Sequence, residues 1–388
     1  MEKANRKVVF VHDGPFRYDV NGELIVTNNT LLLKKRYEYL GDELTFMLRA
    51  IQTDVVNTEN KDVKLNFVRV PAYNRLHLLK NYFKACRIVE STIKNTNVAV
   101  IRLPSTIGSL AVKYAKKYHK PYIIEVVGCP QDTLKNYSLT GKLYAPFAKL
   151  KLKFKVLNAP YVIYVSSFFL QKRYPTRGNQ TSISNVIMNT NENIVANKIE
   201  SYKTLNTTSE ISLSTLGAID ISYKGHEFVI RAIAKLKTQN YNIQYHIAGL
   251  GSKIRLLSIA QKLGVENQIH FEGLLNRNEI FSLLDKTDIY IQPSLTEGLP
   301  RSVVEAMSRG CICIGTNVGG IPELIQPNLL FDKKSVNQIV TLIKEIVNHT
   351  SPELISERNF QLAKLYNNEI LERKRIDFYN MFLKQNDL

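Results

Sequence analysis

Along the whole chain, short runs of β-branched and aromatic residues alternate with segments whose apolar residues recur at helical spacing. In the first half KVVFVHD, KLNFVRV, NVAVIRL, PYIIEVV and YVIYVS read as buried strands, separated by the helical patterns TLLLKKRYEYLG, AYNRLHLLKNYFKACRIVEST and STIGSLAVKYAKKYH. The second half repeats the rhythm with EISLSTLGA, IQYHIAGLG, QIHFEGL, DIYIQPS and CICIGT, interleaved with GHEFVIRAIAKLK, KIRLLSIAQKLG, RNEIFSLLD and PRSVVEAMSRG. Short β-branched runs that alternate with helical patterns predict parallel sheets covered on both faces; the fold class is α/β with two Rossmann-like halves. Between the halves, NTNENIVANKIESYKTLNTTSE is polar with little periodicity and reads as the connection. The expected division is an N-terminal domain over 1–190, a C-terminal domain over 191–365, and a helix over 366–388 whose candidate packing partner is the first domain.

Charge separates the halves more sharply than pattern does. Of the net +18, residues 1–190 carry +17 and residues 191–388 carry +1. Such asymmetry points the first half at an anionic partner, which would be nucleic acid, an acidic membrane surface or a phosphate-bearing substrate; a lysine-rich surface kept for solubility is the plain alternative. Cys86, Cys129, Cys311 and Cys313 lack metal-ligand spacing, and no metal or other cofactor is expected. The start MEKANRKVVFVHDG lacks the apolar stretch of a secretory signal, and no apolar run reaches the ~18 residues of a spanning segment. A cytoplasmic protein with reduced thiols is expected, attached at most to the inner face of the plasma membrane.

The chemistry concentrates in PSLTEGLPRSVVEAMSRG, Pro293 to Gly310, which sets Glu297 and Glu305 on either side of Pro300. Proline fits the start of a helix and Gly310 its end, so SVVEAM is helical and EGL is the loop before it. The strand DIYIQPS feeds that loop, placing it at the carboxyl edge of a parallel sheet, where α/β folds bind ligands. A helix N-terminus offers free N–H groups and the positive end of a dipole to a diphosphate. Acceptor-only carboxylates flanking an anion site suit a ligand with hydroxyls at both ends and negative charge between them, which is the form of a nucleotide sugar. Lys224 and Gly225 follow the first strand of the second half at the same sheet edge, and Gly249 and Gly251 form a Gly-x-Gly turn into a helix that would let backbone approach a ligand.

The segment PSLTEGLPRSVVEAMSRG, followed by CICIGTNVGGIPELI, resembles the Glu-x7-Glu region of the family 4 glycosyltransferases, which have the GT-B fold of two facing Rossmann-like domains. The match runs through Lys224-Gly225, GLG at Gly249 and FEG at Phe271; in the first half GCPQDT and APYVIYVS are similar to enzymes that build bacterial capsular or other surface polysaccharides. The resemblance implies a retaining, metal-independent hexosyltransferase whose second half binds a nucleotide-sugar donor, UDP by family habit with GDP open, and whose first half binds a glycan or polyprenyl-diphosphate-linked acceptor. It implies that Glu305 holds the ribose, that Glu297 and the backbone of Gly298, Leu299 and Pro300 hold sugar and diphosphate, and that Lys224 neutralises the leaving phosphate, making Glu297 and Lys224 the catalytic pair. Three departures stand out. Gly217 is followed by Ala218 where the family often has arginine, and Arg301 is either the substitute cation or a solvent-facing residue. HDGPFRYDVNG spaces Gly14 and Gly22 apart where paired glycines are usual, leaving Gly14 and Arg17 as acceptor-side candidates. IIEVVGCPQDT lacks the family's histidine; Glu125 and Asp132 either line the cleft there or are structural.

GKLYAPFAKLKLKFKVLNAP places Leu143, Phe147, Leu150, Phe154 and Leu157 at helical spacing among Lys142, Lys149, Lys151, Lys153 and Lys155, an amphipathic basic helix. Its stripe either packs on the first sheet or lies on an anionic membrane surface, with Lys149, Lys151 and Lys153 near a lipid-linked acceptor. No recognition motif supports nucleic acid. A UDP-sugar 2-epimerase of the same fold and an inactive nucleotide-sugar-binding subunit remain as alternative functions.

Overall fold

A computed structural model describes residues 6–53, 63, 65–73, 80–188, 190–207, 209–348 and 351–388. The chain forms two compact units, one of Met1–Pro130, Phe147–Ile183 and Arg373–Leu388, the other of Gln131–Pro146 and Ser184–Glu372.

In the first unit seven strands, β1 (Lys7–Tyr18), β2 (Glu43–Gln52), β3 (Asn66–Arg69), β4 (Val98–Leu103), β5 (Tyr122–Val126), β6 (Tyr161–Tyr164) and β7 (Asn179–Ser182), form one parallel sheet in the order β3-β2-β1-β4-β5-β6-β7. Helices α1 (Asn28–Tyr37), α2 (Tyr82–Lys94), α3 (Thr106–Lys117) and α6 (Phe169–Arg173) are threaded between the strands, whereas α4 (Pro130–Tyr137) belongs to the second unit from Gln131 onward and α5 (Leu139–Leu157) passes to the first unit at Phe147. In the second unit β8 (Glu210–Leu216), β9 (Asn242–Ala248), β10 (Ile269–Gly273), β11 (Ile289–Gln292), β12 (Ile312–Thr316) and β13 (Leu330–Phe331) form a parallel sheet in the order β10-β9-β8-β11-β12-β13. Its helices are α7 (Glu192–Tyr202), α8 (His226–Lys237), α9 (Ile254–Lys262), α10 (Arg277–Lys286), α11 (Arg301–Ser308), α12 (Val336–Asn348) and α13 (Pro352–Lys364), and α14 (Asn368–Gln385) closes the chain. This is the α/β class expected from the pattern. The five apolar strands foreseen in the second half form there, and their residues supply its core, with Ile211, Leu213, Ile243, Ile247, Ile289, Ile291, Ile312 and Ile314 fully buried.

Four segments depart from the pattern. The polar connection holds α7, whose Val195, Lys198 and Tyr202 recur on one face and are buried. Lysine is tolerated there because its ammonium donates to the carbonyls of Leu284 and Thr287 at the end of α10, which satisfies a charge that water would otherwise have to hold. HDGPFRY is strand, not loop: β1 carries an irregularity between His12 and Phe16, where Gly14 adopts φ +91° and a side chain would press on the Arg49 carbonyl. Strand β2 escapes a pattern search because Leu, Met, Arg and Ala suit helices equally well, and the polar edge strand β7 because NQTS has no apolar run. Part of the helix expected over 72–92 lies outside the described residues. From residue 373 onward the last helix belongs to the first unit, where Tyr39 Oη donates to Asn380, Tyr161 Oη donates to Gln385, and Phe382 meets Tyr161 edge-on with ring centroids 4.9 Å apart.

Glu125 is structural. It lies in register with Arg102 across β5 and β4, accepts two guanidinium N–H bonds at 2.7 and 3.0 Å and one from Tyr37 Oη at 2.9 Å, and is 3% exposed. Burial works against its charge, but the Arg102 guanidinium outweighs that and holds the carboxyl below its usual range. Glu125→Ala leaves Arg102 buried without its partner, and urea unfolding near neutral pH is expected to show a loss of ~3–5 kcal/mol. Because the native carboxyl is depressed, its contribution is present above the ordinary glutamate pKa and is lost as pH falls through the native value. The gap between wild type and variant therefore narrows in acid, and a gap independent of pH would contradict the ion pair's role.

Candidate active site

In each sheet the strand order reverses once, between β1 and β4 in the first unit and between β8 and β11 in the second. In the second unit both loops leaving that point carry candidate residues. The loop after β8 runs from Gly217 to Gly225, and the loop after β11 runs from Pro293 to Pro300.

Backbone chemistry brings these loops together. Leu295 N–H donates to the Tyr223 carbonyl at 2.7 Å, and Gly225, at φ +79°, lies so near Pro293 that any Cβ there would overlap its carbonyl. On the other flank Gly319 and Gly320 press on the carbonyls of Glu297 and Gly298 with the same lack of room. Inside the sheet edge Thr316 donates its hydroxyl hydrogen toward the carbonyls of Gln292 and Ser294, tying the loop to β12.

Held in this way, Glu297 accepts from Lys224 Nζ at 2.7 Å and from Gln292 Nε2 at 3.2 Å. The pair is mostly enclosed, at 22% and 15% side-chain exposure. Burial opposes the lysine's charge, yet the Glu297 carboxylate holds its pKa above the ordinary value, so the ammonium is charged across the neutral range. Gln292, 1% exposed, also accepts from Tyr290 Oη at 2.9 Å and Ser302 Oγ at 3.1 Å, so its amide is fixed with the N–H side toward Glu297.

Pro300 stands at the N-cap of α11, one position earlier than a first-turn proline, and supplies no side-chain acceptor; the first turn contains no acidic residue. Gly310, at φ +73°, follows the helix end. Arg301, exposed, is the first helical residue, and Glu305 lies one turn further in, partly buried. Burial pushes the Glu305 carboxyl up, with Arg301 and Arg277 opposing. The contrast with the first unit is chemical. There the N-terminus of α3 is already satisfied: Asp13 accepts from the N–H groups of Thr106 at 2.6 Å and Ile107 at 3.1 Å, and Ser105 Oγ from Gly108.

The structure thus gathers Glu297, Lys224, Gly225, Gly298, Leu299, Pro300, Arg301 and Glu305 at one switch point. Gly249 and Gly251 adjoin it, but their missing side chains make room for the Gly217 carbonyl and for Asp220, so they seat the β8 loop. Gly14, Arg17, Lys149, Lys151 and Lys153 belong to the first unit. Sequence reasoning missed Gln292, Arg277 and His226. A glutamine ending an apolar strand was the one available signal. Arg277, which opens α10 and lies close enough to Glu305 to act on its charge, had none. His226 is fully buried between the Ala218 carbonyl and Tyr245 Oη, and burial pushes its pKa down to about 4.

Comparison with known proteins places this geometry. Residues 203–360 match the sequence profile described as glycosyl transferases group 1. Protein CapJ of Staphylococcus aureus is 30% identical over 391 aligned positions, 97% of this chain and 92% of that protein. Sucrose-phosphate synthase of Thermosynechococcus elongatus superposes with a TM-score of 0.72 at 14% identity, over 98% of this chain and 100% of that one. HepE of Anabaena, solved in complex with UDP-glucose, superposes with a TM-score of 0.68 at 15% identity, over 97% and 100%. At such identities the two structural likenesses speak for the fold.

The position of Glu305 has a cost that can be measured. A carboxyl raised by burial destabilises the native state while ionised, and stability is regained as pH falls through its native pKa. Glu305→Gln is therefore expected to raise the apparent Tm of the ligand-free protein at pH 8, with the gain shrinking steadily toward pH 5. A lower Tm at pH 8 would show the carboxylate to be stabilising instead.

Proposed function

Given that the chain belongs to the group 1 glycosyl transferases and has the GT-B fold, we propose that it moves a sugar from a nucleotide-sugar donor, a UDP-sugar, to a glycan or lipid-linked acceptor in surface polysaccharide synthesis. The transfer proceeds with retention and without a metal, and the protein works at the inner face of the plasma membrane. The observation that carries this reading is the uncapped N-terminus of α11 with Lys224 and Glu297 at its mouth, in contrast to the N-terminus of α3, which Asp13 seals. A diphosphate gains free N–H groups and a positive dipole end at α11, and would have to displace Asp13 at α3.

Each residue then has a role. The first N–H groups of α11 receive the diphosphate, with Arg301, the first residue of the helix, as an added cation. Glu305 accepts from the ribose hydroxyls. Lys224 turns its ammonium from Glu297 to the leaving phosphate oxygen, and Glu297, still held by Gln292, accepts from the sugar hydroxyls. The sugar–phosphate C–O bond breaks as the acceptor oxygen bonds to the same face of the anomeric carbon, and the acceptor's proton passes to the departing phosphate oxygen. The protein's contribution is positioning and charge stabilisation. Arg301 and Arg277, which both act on the charge of Glu305, offer the positive charge that Ala218, standing where the family often has arginine, does not. The similarity over 39% of this chain, at 27% identity, to the putative colanic acid biosynthesis glycosyltransferase WcaL of Salmonella typhimurium supports the polysaccharide setting.

Thermal unfolding with UDP, GDP, ADP and NAD in turn tests the donor site. A ligand at a hundred times its dissociation constant adds ~2.7 kcal/mol. UDP is expected to stabilise the wild type, and Glu305→Ala to lose that shift. Stabilisation by NAD alone, or by none of the four, would overturn the reading.

Glu297→Ala is expected to abolish sugar transfer to acceptor while retaining most of the nucleotide shift. Transfer at the wild-type rate would remove Glu297 from the mechanism.

A further inference from the structure

Helix α5 carries two apolar faces. At ~100° per residue, Gly141, Ala145, Ala148, Leu152 and Val156 form one stripe, and Leu139, Leu143, Phe147, Leu150 and Phe154 form another on the opposite side. The first stripe, which opens with three small residues, is the one that packs, and all five of its members are buried. The stripe of large residues faces outward, with Leu143 79%, Phe147 66% and Phe154 62% exposed. Packing on the first sheet, the alternative that the sequence left open for this stripe, is therefore not what these side chains do. Because the stripe lies along one continuous helix, it is a surface of that helix itself.

The charges around it select the occupant. Lys142, Lys149 and Lys153 run along one margin of the outward stripe, Lys151 and Lys155 run along the other, and residues 139–157 contain no Asp or Glu. A second copy of the chain would bring five lysines against five, so self-pairing through this face is disfavoured. A nucleic acid would leave the leucines and phenylalanines unburied. A surface with an apolar interior and anionic headgroups satisfies both features, since lysine stems can lie along the apolar boundary while their ammonium groups reach the phosphates. Burial lowers the Lys155 pKa, and Lys151 and Lys116 lower it further, so an anion at that margin relieves a repulsion already present.

We infer that α5 lies in the headgroup region of an anionic lipid surface, with Leu139, Leu143, Phe147, Leu150 and Phe154 inserted and the lysines on lipid phosphates. The inference deepens the membrane setting proposed above, but its geometry does not depend on the donor chemistry.

The sequence contains no tryptophan, so Phe154→Trp introduces a single reporter. With vesicles of mixed phosphatidylglycerol and phosphatidylcholine, its emission is expected to shift to the blue and to be quenched by brominated acyl chains. Neither change is expected with pure phosphatidylcholine. Adding Lys149→Gln, Lys151→Gln and Lys153→Gln should weaken partitioning about a hundredfold, about fivefold for each lysine. Leu143→Gln with Phe147→Gln should weaken it at least about tenfold. Unchanged emission on anionic vesicles overturns the inference, as do equal partitioning of the glutamine variants or a blue shift that grows with protein concentration in the absence of lipid, which would assign the face to a protein partner. The UDP thermal shift, measured on the Leu143→Gln, Phe147→Gln protein, separates the two proposals: its retention with lost vesicle binding supports both, whereas vesicle binding without any nucleotide shift removes the donor reading and leaves the membrane surface standing.

Discussion

The candidate site depends on how closely two backbone loops approach at the switch point of the second sheet. Gly225 on one side and Gly319 with Gly320 on the other leave the Glu297 loop no lateral freedom, because a Cβ at any of the three would enter a carbonyl oxygen. Only that confinement keeps Glu297 within 2.7 Å of Lys224, from a loop that begins on a different strand. Gln292 then fixes the carboxylate from below, and the strand that ends in Gln292 is itself held by Thr316. Removing side chains from the backbone makes it possible to orient two charged ones.

The two units meet the same electrostatic problem in opposite ways. In the first, charge is neutralised internally: Arg102 and Glu125 pair in a buried register, and Asp13 closes the mouth of α3. In the second, the switch point keeps an uncapped helix mouth and an ion pair that a phosphate would have to compete with, and burial raises the Glu305 carboxyl further along the same helix. Sealed arrangements stabilise a fold, whereas arrangements held near balance can exchange partners when a ligand arrives.

Much of this architecture was legible in the chain. The runs from EISLSTL to CICIG named every long strand of the second sheet: β11 and β12 are buried throughout and read as continuous apolar or small-residue runs, while β8 and β9 keep isoleucine, leucine and tyrosine at their buried positions. Strand β2, edge strand β7 and helix α7 were not legible. The apolar face of α7 includes a lysine whose partners, the carbonyls of Leu284 and Thr287, lie some ninety positions away. Of the site, Glu297, Lys224, Glu305 and the helix start could be named, while Arg277 could not, since nothing local to it points to Glu305.

By itself the sequence determined the α/β class, the two-part organisation, the strand–loop–helix around Glu297 and Glu305, and an amphipathic, lysine-flanked segment at 142–157. These follow from periodicity and composition, which act between neighbours in the chain. Which face of α5 packs was a tertiary decision: Gly141, Ala145 and Ala148 allow close approach and are buried together with Leu152 and Val156, while Leu143, Phe147, Leu150 and Phe154 were left outside. Tertiary structure also decided that Glu297 pairs with Lys224, that Gly249 and Gly251 serve backbone packing, and that α3 is closed while α11 is open. Each of those depends on groups brought together from distant parts of the chain, and only the folded backbone sets the distances between them.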